Sequence, residues 1–174
     1  TKDNISGFVY SPDSYRLTDT RFEENPDLVG RADDSHAKAV ASSIFERYPE
    51  VFSNTKPSDG DNYIQIYGRQ NGERTYKFIK RKYVAQHNNL DKWKVFVPGA
   101  NGTGAIGEVV STPVIGQPVV GHNQTFVSLG EFETEFEAES LLKYIKSKFG
   151  RIMLGIMKTT HNNQSKKKSL IQLK

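Results

Sequence analysis

The chain has 174 residues, 36% hydrophobic and 25% charged, with no cysteine, which suits one folded domain with long polar loops and excludes disulfide staples and thiolate metal cages. Its net charge of +4 is uneven: residues 61–100 carry eight basic against three acidic side chains and 151–174 six against none, while 1–60 and 101–150 are acidic. No run approaches the roughly 18 apolar residues of a membrane span, and the first residues lack the apolar core of a secretory signal, so a cytoplasmic protein with no membrane partner is expected.

Along the chain, the first thirty residues are aperiodic apart from Gly7-Phe8-Val9-Tyr10, which fits an edge strand. Position 1 is Thr and not Met, and a fragment whose missing neighbours hold the chemistry is expected. Asp33, Asp34 and Ser35 offer N-cap oxygens, and Ala37, Val40, Ala41, Ile44, Phe45 and Tyr48 recur at helical spacing until Pro49. That spacing predicts an amphipathic helix of about four turns. Two β-rich runs, Tyr63–Tyr67 and Thr75–Ile79, flank Gly68-Arg69-Gln70-Asn71-Gly72, which signals a hairpin. Lys80–Val84 is expected to turn briefly helical, and Trp93–Val97 to form a strand stopped by Pro98. Residues 98–124 hold six glycines and three prolines, so a long glycine-rich loop with short extended pieces is predicted.

Thr125–Leu129 reads as a strand closed by Gly130. Thr134 and Glu137 have capping-box spacing ahead of the stripe Ala138, Leu141, Leu142, Ile145, Phe149, Ile152, Met153 and Ile156, predicting a second main helix that runs on past Gly150 with a kink. Residues 161–174 read as a basic, partly disordered tail. The expected fold is therefore α/β in the α+β sense: one domain over 1–174, a mixed or antiparallel sheet with a hairpin, and two main helices.

Catalytic motifs are sparse. Gly102-Thr103-Gly104-Ala105-Ile106-Gly107 matches the dinucleotide-binding glycine pattern, but β-branched residues and Pro113 follow where a phosphate-binding helix must open. His87, His122 and His161 each precede an Asn and lie too far apart in sequence for a pair on one element. No Asp-x-Lys or Glu-x-Lys occurs to hold a nuclease metal, and Asn25-Pro26-Asp27-Leu28 has one proline where an adenine methyltransferase needs two. The acidic run Glu131, Glu133, Glu135, Glu137 and Glu139 is explained by helix N-terminal electrostatics. The two basic islands are the footprint expected of a polyanion binder.

The run Asp91-Lys92-Trp93-Lys94-Val95-Phe96-Val97-Pro98, the glycine loop, the strand ending at Gly130 and the helix bearing Glu137, Ala138, Tyr144, Lys148, Phe149 and Arg151 form a recurring pattern, followed by Lys158-Thr159-Thr160. Over roughly residues 62–160 the chain resembles the C-terminal target-recognition region of adenine-specific DNA methyltransferases, including fused restriction-methylation enzymes of type IIG. It departs at Gly150, where a bulky apolar residue is commoner, and in lacking an aromatic-Val-Pro segment after the basic tail. The resemblance implies a division of labour. This chain, non-catalytic and without a cofactor of its own, selects a sequence in double-stranded DNA. The parent's catalytic methyltransferase or nuclease domain holds S-adenosylmethionine, and Mg2+ if it also cuts.

Base readout needs long polar side chains on a projecting element, and Arg69, Gln70, Asn71 and Arg74 at the hairpin tip have that chemistry. Lys77, Lys80, Arg81, Lys82 and Lys94 are the expected phosphate contacts. Secondary candidates are Asn101, Thr103, His122, Asn123, Gln124 and the tail residues Lys166, Lys167 and Lys168. Lys148 and Arg151 are expected to brace their helix. Two alternatives stay open: a small metal-dependent nuclease or nucleotide-binding enzyme using the glycine loop, and a protein-interaction module that docks an acidic partner.

Overall fold

A computed structural model describes residues 15–31, 38–99 and 112–151. The expected strand at 7–10, Asn101, Thr103, the Lys158–Thr160 element and the tail with Lys166, Lys167 and Lys168 lie outside the described residues. In chain order come α1 (Thr20–Glu24), α2 (Ile44–Arg47), β1 (Tyr63–Gln70), β2 (Glu73–Lys80), β3 (Trp93–Pro98), β4 (Val114–Gly116), β5 (Val120–His122), β6 (Phe126–Phe132) and α3 (Glu135–Lys146), with short 3-10 segments at Pro26–Arg31, Pro49–Val51 and Arg81–Tyr83. The architecture is α+β, as the residue patterns indicate.

The strands form two three-stranded sheets, a mixed one ordered β2-β1-β5 and an antiparallel one ordered β4-β3-β6. Alternation along β3 and β6 gives the second sheet two occupied faces. Val95, Val97, Val127 and Leu129 meet Ala138 and Ile145 of α3. On the opposite face Phe96 and Phe126 meet Tyr67 and Val120 of the first sheet. Burying each such side chain contributes roughly 1.5–3 kcal/mol, so α3 is held by its inner stripe and not by its polar face.

The first sheet packs its other face, through Ile64, Ile66 and Ile79, on Tyr15, Leu17, Val40, Ile44, Phe45 and Tyr48. The last four belong to the segment predicted as a four-turn helix, and the structure corrects that prediction. Leu17 N–H donates to the Lys38 carbonyl at 2.5 Å and Val40 N–H to that of Tyr15 at 2.9 Å, pairing 38–40 with 15–17 in extended form. Only the single turn of α2 remains between that pairing and Pro49. The helical spacing marked the burial of Val40, Ile44, Phe45 and Tyr48, all at most 1% exposed, while Ala41 is half-buried, but a distant partner took the backbone.

The second helix is capped as expected: Glu137 N–H donates to Thr134 Oγ1 and the Glu137 carboxylate accepts from Thr134 N–H. Its break falls at Ser147, three residues before the predicted kink. There the backbone is extended and Ser147 Oγ both donates to the Tyr144 carbonyl and accepts from Gly150 N–H. A Cβ at Gly150 would lie 2.3 Å from the Tyr144 carbonyl oxygen, so the backbone here leaves no room for a side chain. Gly130 does not close β6; the strand continues to Phe132, with an irregular register opposite Trp93–Val95.

Candidate nucleic-acid interface

β1 and β2 are joined by Asn71 and Gly72, with φ of 51° and 83°. Positive φ at both central residues is the two-residue turn whose twist matches a hairpin, and Asn-Gly is the pair that adopts it most cheaply. This turn fixes the register Tyr67↔Tyr76, Gly68↔Thr75, Arg69↔Arg74 and Gln70↔Glu73. Register in turn separates the side chains. Arg69, Arg74, Tyr67 and Tyr76 share one face, while Gln70, Glu73, Thr75 and Lys77 share the other.

On the first face, Tyr67 is buried in a stack, 4.4 Å from the Phe126 ring and 5.6 Å from that of Phe96. Tyr76 lies against Tyr67 at 4.7 Å and 30°, and is itself 41% exposed. Arg74 donates to the Thr112 carbonyl at 2.8 Å and sets its guanidinium 5.7 Å from the Phe126 ring. Arg69 and Asn71 are exposed and Gln70 is half-buried. On the second face Lys77 sits 5.6 Å from the Phe45 ring. Among the described residues no carboxylate lies within ion-pair distance of Arg69, Arg74 or Lys77.

The opposite end of the hairpin differs. Lys80 Nζ is 2.5 Å from Asp61, 3.8 Å from Glu24 and 4.0 Å from Asp59. Its pKa is raised, first by the hydrogen bond to Asp61. Lys82 is paired with Glu24 and likewise raised; Glu24, which also accepts from Tyr83 Oη, is held below the usual carboxylate range by Lys82 and then Tyr83. Arg81 donates to the Val84 carbonyl at 2.7 Å and to Gln86 Oε1. A cleft of about 260 Å³ opens beside this cluster, walled by Phe52, Tyr63, Phe78 and Tyr83.

Lys94, expected on a phosphate, is fully buried, and the structure removes it from any surface. Its ammonium reaches four backbone carbonyls, those of Asn89 at 2.7 Å, Leu90 and Lys92 at 2.9 Å and Gln117 at 3.1 Å. Three N–H donors are therefore shared among four acceptors. Burial draws its pKa down to about 7, while the carbonyl oxygens favour the charged form.

His122 and Asn123 are also inside, 5% and 0% exposed, and cannot reach a DNA partner from there; Gln124 is half-buried, its N–H given to the Val40 carbonyl. They belong to a directed chain of hydrogen bonds. Tyr15 Oη donates to Asn89 Oδ1 at 2.5 Å, and Asn89 Nδ2 to Ser128 Oγ at 2.8 Å. Ser128 Oγ lies 3.2 Å from His122 Nε2, and His122 Nδ1 lies 2.9 Å from the Asn123 carbonyl. The carbonyl can only accept, so Nδ1 carries the proton and Nε2 accepts from Ser128. The ring is thus neutral, in line with a pKa lowered by burial to about 4.

Sequence reasoning missed the aromatic half of the tip face, Tyr67, Tyr76 and Phe126. The signal was present for two of them: once Asn71-Gly72 is taken as the turn, alternation puts Tyr67 and Tyr76 on the side of Arg69 and Arg74. Among the described residues no group of three or more His, Asp or Glu is placed to hold a metal ion, and no helix is long and apolar enough to cross a membrane. The chain matches no protein-family model, no curated protein and no solved structure.

Proposed function

We propose that this chain is the DNA-recognition part of an adenine-specific methyltransferase or restriction-modification enzyme, acting in the cytoplasm and gripping duplex DNA with the tip of the β1–β2 hairpin. The observation that carries the reading is the opposed pair Arg69–Arg74, which no described carboxylate neutralises, beside a two-residue turn with open space around Gly72. Arg69 and Arg74 on one face and Gln70 and Asn71 at the turn supply donors and acceptors for base edges, and Lys77 a charge for phosphate. S-adenosylmethionine, and Mg2+ where the parent cuts, belong to its catalytic domain.

Selection from a randomised duplex pool, followed by salt titration of the enriched sequence, tests this. Removing Lys77 should lower the log–log salt slope by about one, and replacing Arg69 should relax the preference at one base position. Binding that ignores charge reversal at both arginines would overturn the placement. A protein partner is the second reading, favoured by Phe136, Tyr144 and Phe149, which stand 72%, 40% and 63% exposed around α3.

A further inference from the structure

The ring of Tyr76 is the largest exposed aromatic surface on the hairpin, and it has two sides in different surroundings. One is closed by Tyr67, whose own ring is closed by Phe126 and Phe96. Tyr67 is only 2% exposed whereas Tyr76 is 41% exposed, so Tyr76 ends a stack of rings at the surface. Covering Tyr67 needs only an apolar side chain; Leu or Val would do it without presenting a π face to water. Arg74 is the cross-strand neighbour of Arg69, two residues before Tyr76 on the same face, and Arg69 is diagonal to Tyr76 across the strands. Such diagonal neighbours lie roughly 7–8 Å apart, a separation that one nucleotide spans.

We infer that Tyr76 is a stacking platform for one unpaired base of the bound DNA, with Arg69 beside it reaching the edge of the neighbouring base. This rests on the hairpin being the DNA-binding element and adds the kind of DNA it takes. In an intact duplex the faces of the bases are covered by their neighbours and only the edges line the grooves. An exposed ring flanked by unneutralised cations is matched by a base that has left the stack or was never in one. The platform is rigid because its lower layers are core residues, so an arriving base loses its own freedom without having to order the protein.

The test uses the full chain and two DNAs of equal length, a single strand and a duplex, each with 2-aminopurine at the centre. The wild-type chain is expected to quench 2-aminopurine in the single strand and not in the duplex. Tyr76→Leu should abolish that quenching and weaken single-strand binding about tenfold, leaving duplex affinity within about twofold, while Tyr76→Phe should keep all three properties. Arg69→Gln should weaken both DNAs. Wild-type quenching and affinity retained by Tyr76→Leu would overturn the platform while leaving the hairpin as the binding element. Affinity for both DNAs unchanged in Arg69→Gln and Arg74→Gln would overturn the hairpin reading itself. If Tyr76→Leu melts early, Tyr76→Trp replaces it: indole emission quenched by oligothymidine and not by duplex supports stacking, and emission unchanged by either overturns it.

Discussion

The two ends of the β1–β2 hairpin carry cations in opposite conditions. At the base, Lys80 is paired with Glu24, Asp59 and Asp61 and Lys82 with Glu24; at the tip, Arg74 and Lys77 lie near ring faces, Arg74 also on a carbonyl, Arg69 is exposed, and none has a described carboxylate within ion-pair distance. Sequence charge counts cannot distinguish these ends, because all five lie in the same basic island. Geometry distinguishes them: charge that is locally neutralised is cancelled by its own neighbours and adds only about 0–1 kcal/mol to stability, and charge that is left bare remains available to a polyanion. Lys94 extends the contrast inward, as the cation most completely satisfied by its own backbone.

The largest effect should come from that inner extreme. Lys94→Met leaves four carbonyls without their donor, and chemical denaturation should show a loss of about 3 kcal/mol or more. Acid should act almost as strongly through His122. Its folded pKa of about 4 lies below the ordinary 6.5, so the unfolded chain takes up the proton first. Stability is then intact above about pH 6.5 and falls as the pH drops toward 4, by up to about 3 kcal/mol, in melts that His122→Gln should render flatter over this window.

At the tip, charge reversal of Arg69 and Arg74 together should weaken duplex binding about 100-fold in low salt, with the melting temperature nearly unchanged. Lys82→Gln should leave that affinity within about twofold, and an equal loss from either end would dissolve the comparison. The smallest effect sharpens it: Glu24→Gln frees Lys82, leaves Lys80 paired with Asp61, and should raise low-salt affinity by about twofold, as measured by anisotropy, at some cost in thermal stability.

What was legible in the sequence was local. Asn71-Gly72 specifies its own turn, and Thr134 with Glu137 its own cap, so the hairpin and the start of α3 follow from neighbours in the chain. The helix expected over 38–48 failed because Tyr15–Leu17, far away in sequence, claims the backbone at 38–40; Asp33, Asp34, Ser35 and Ala37 lie outside the described residues. Lys94 was misplaced for a related reason. A lysine in a strand ordinarily carries its charge to water, and the four carbonyls that turn it inward come from residues 89–92 and 117, whose meeting depends on the fold. Of the candidate site, the tip residues were readable by alternation, and the ring stack beneath Tyr76 was not, since Phe96 and Phe126 arrive from the other sheet.

The directed chain from Tyr15 through Asn89, Ser128 and His122 to Asn123 has a consequence for how the molecule comes apart. It ties the N-terminal described segment to the second sheet and, through His122 and Asn123 at the end of β5, to the first. Each link has a donor on one side and an acceptor on the other, so opening one strands its neighbours in a dry interior. Slow-exchanging amide hydrogens in the two sheets should therefore be released together, in one cooperative opening that includes the strand bearing the tip arginines.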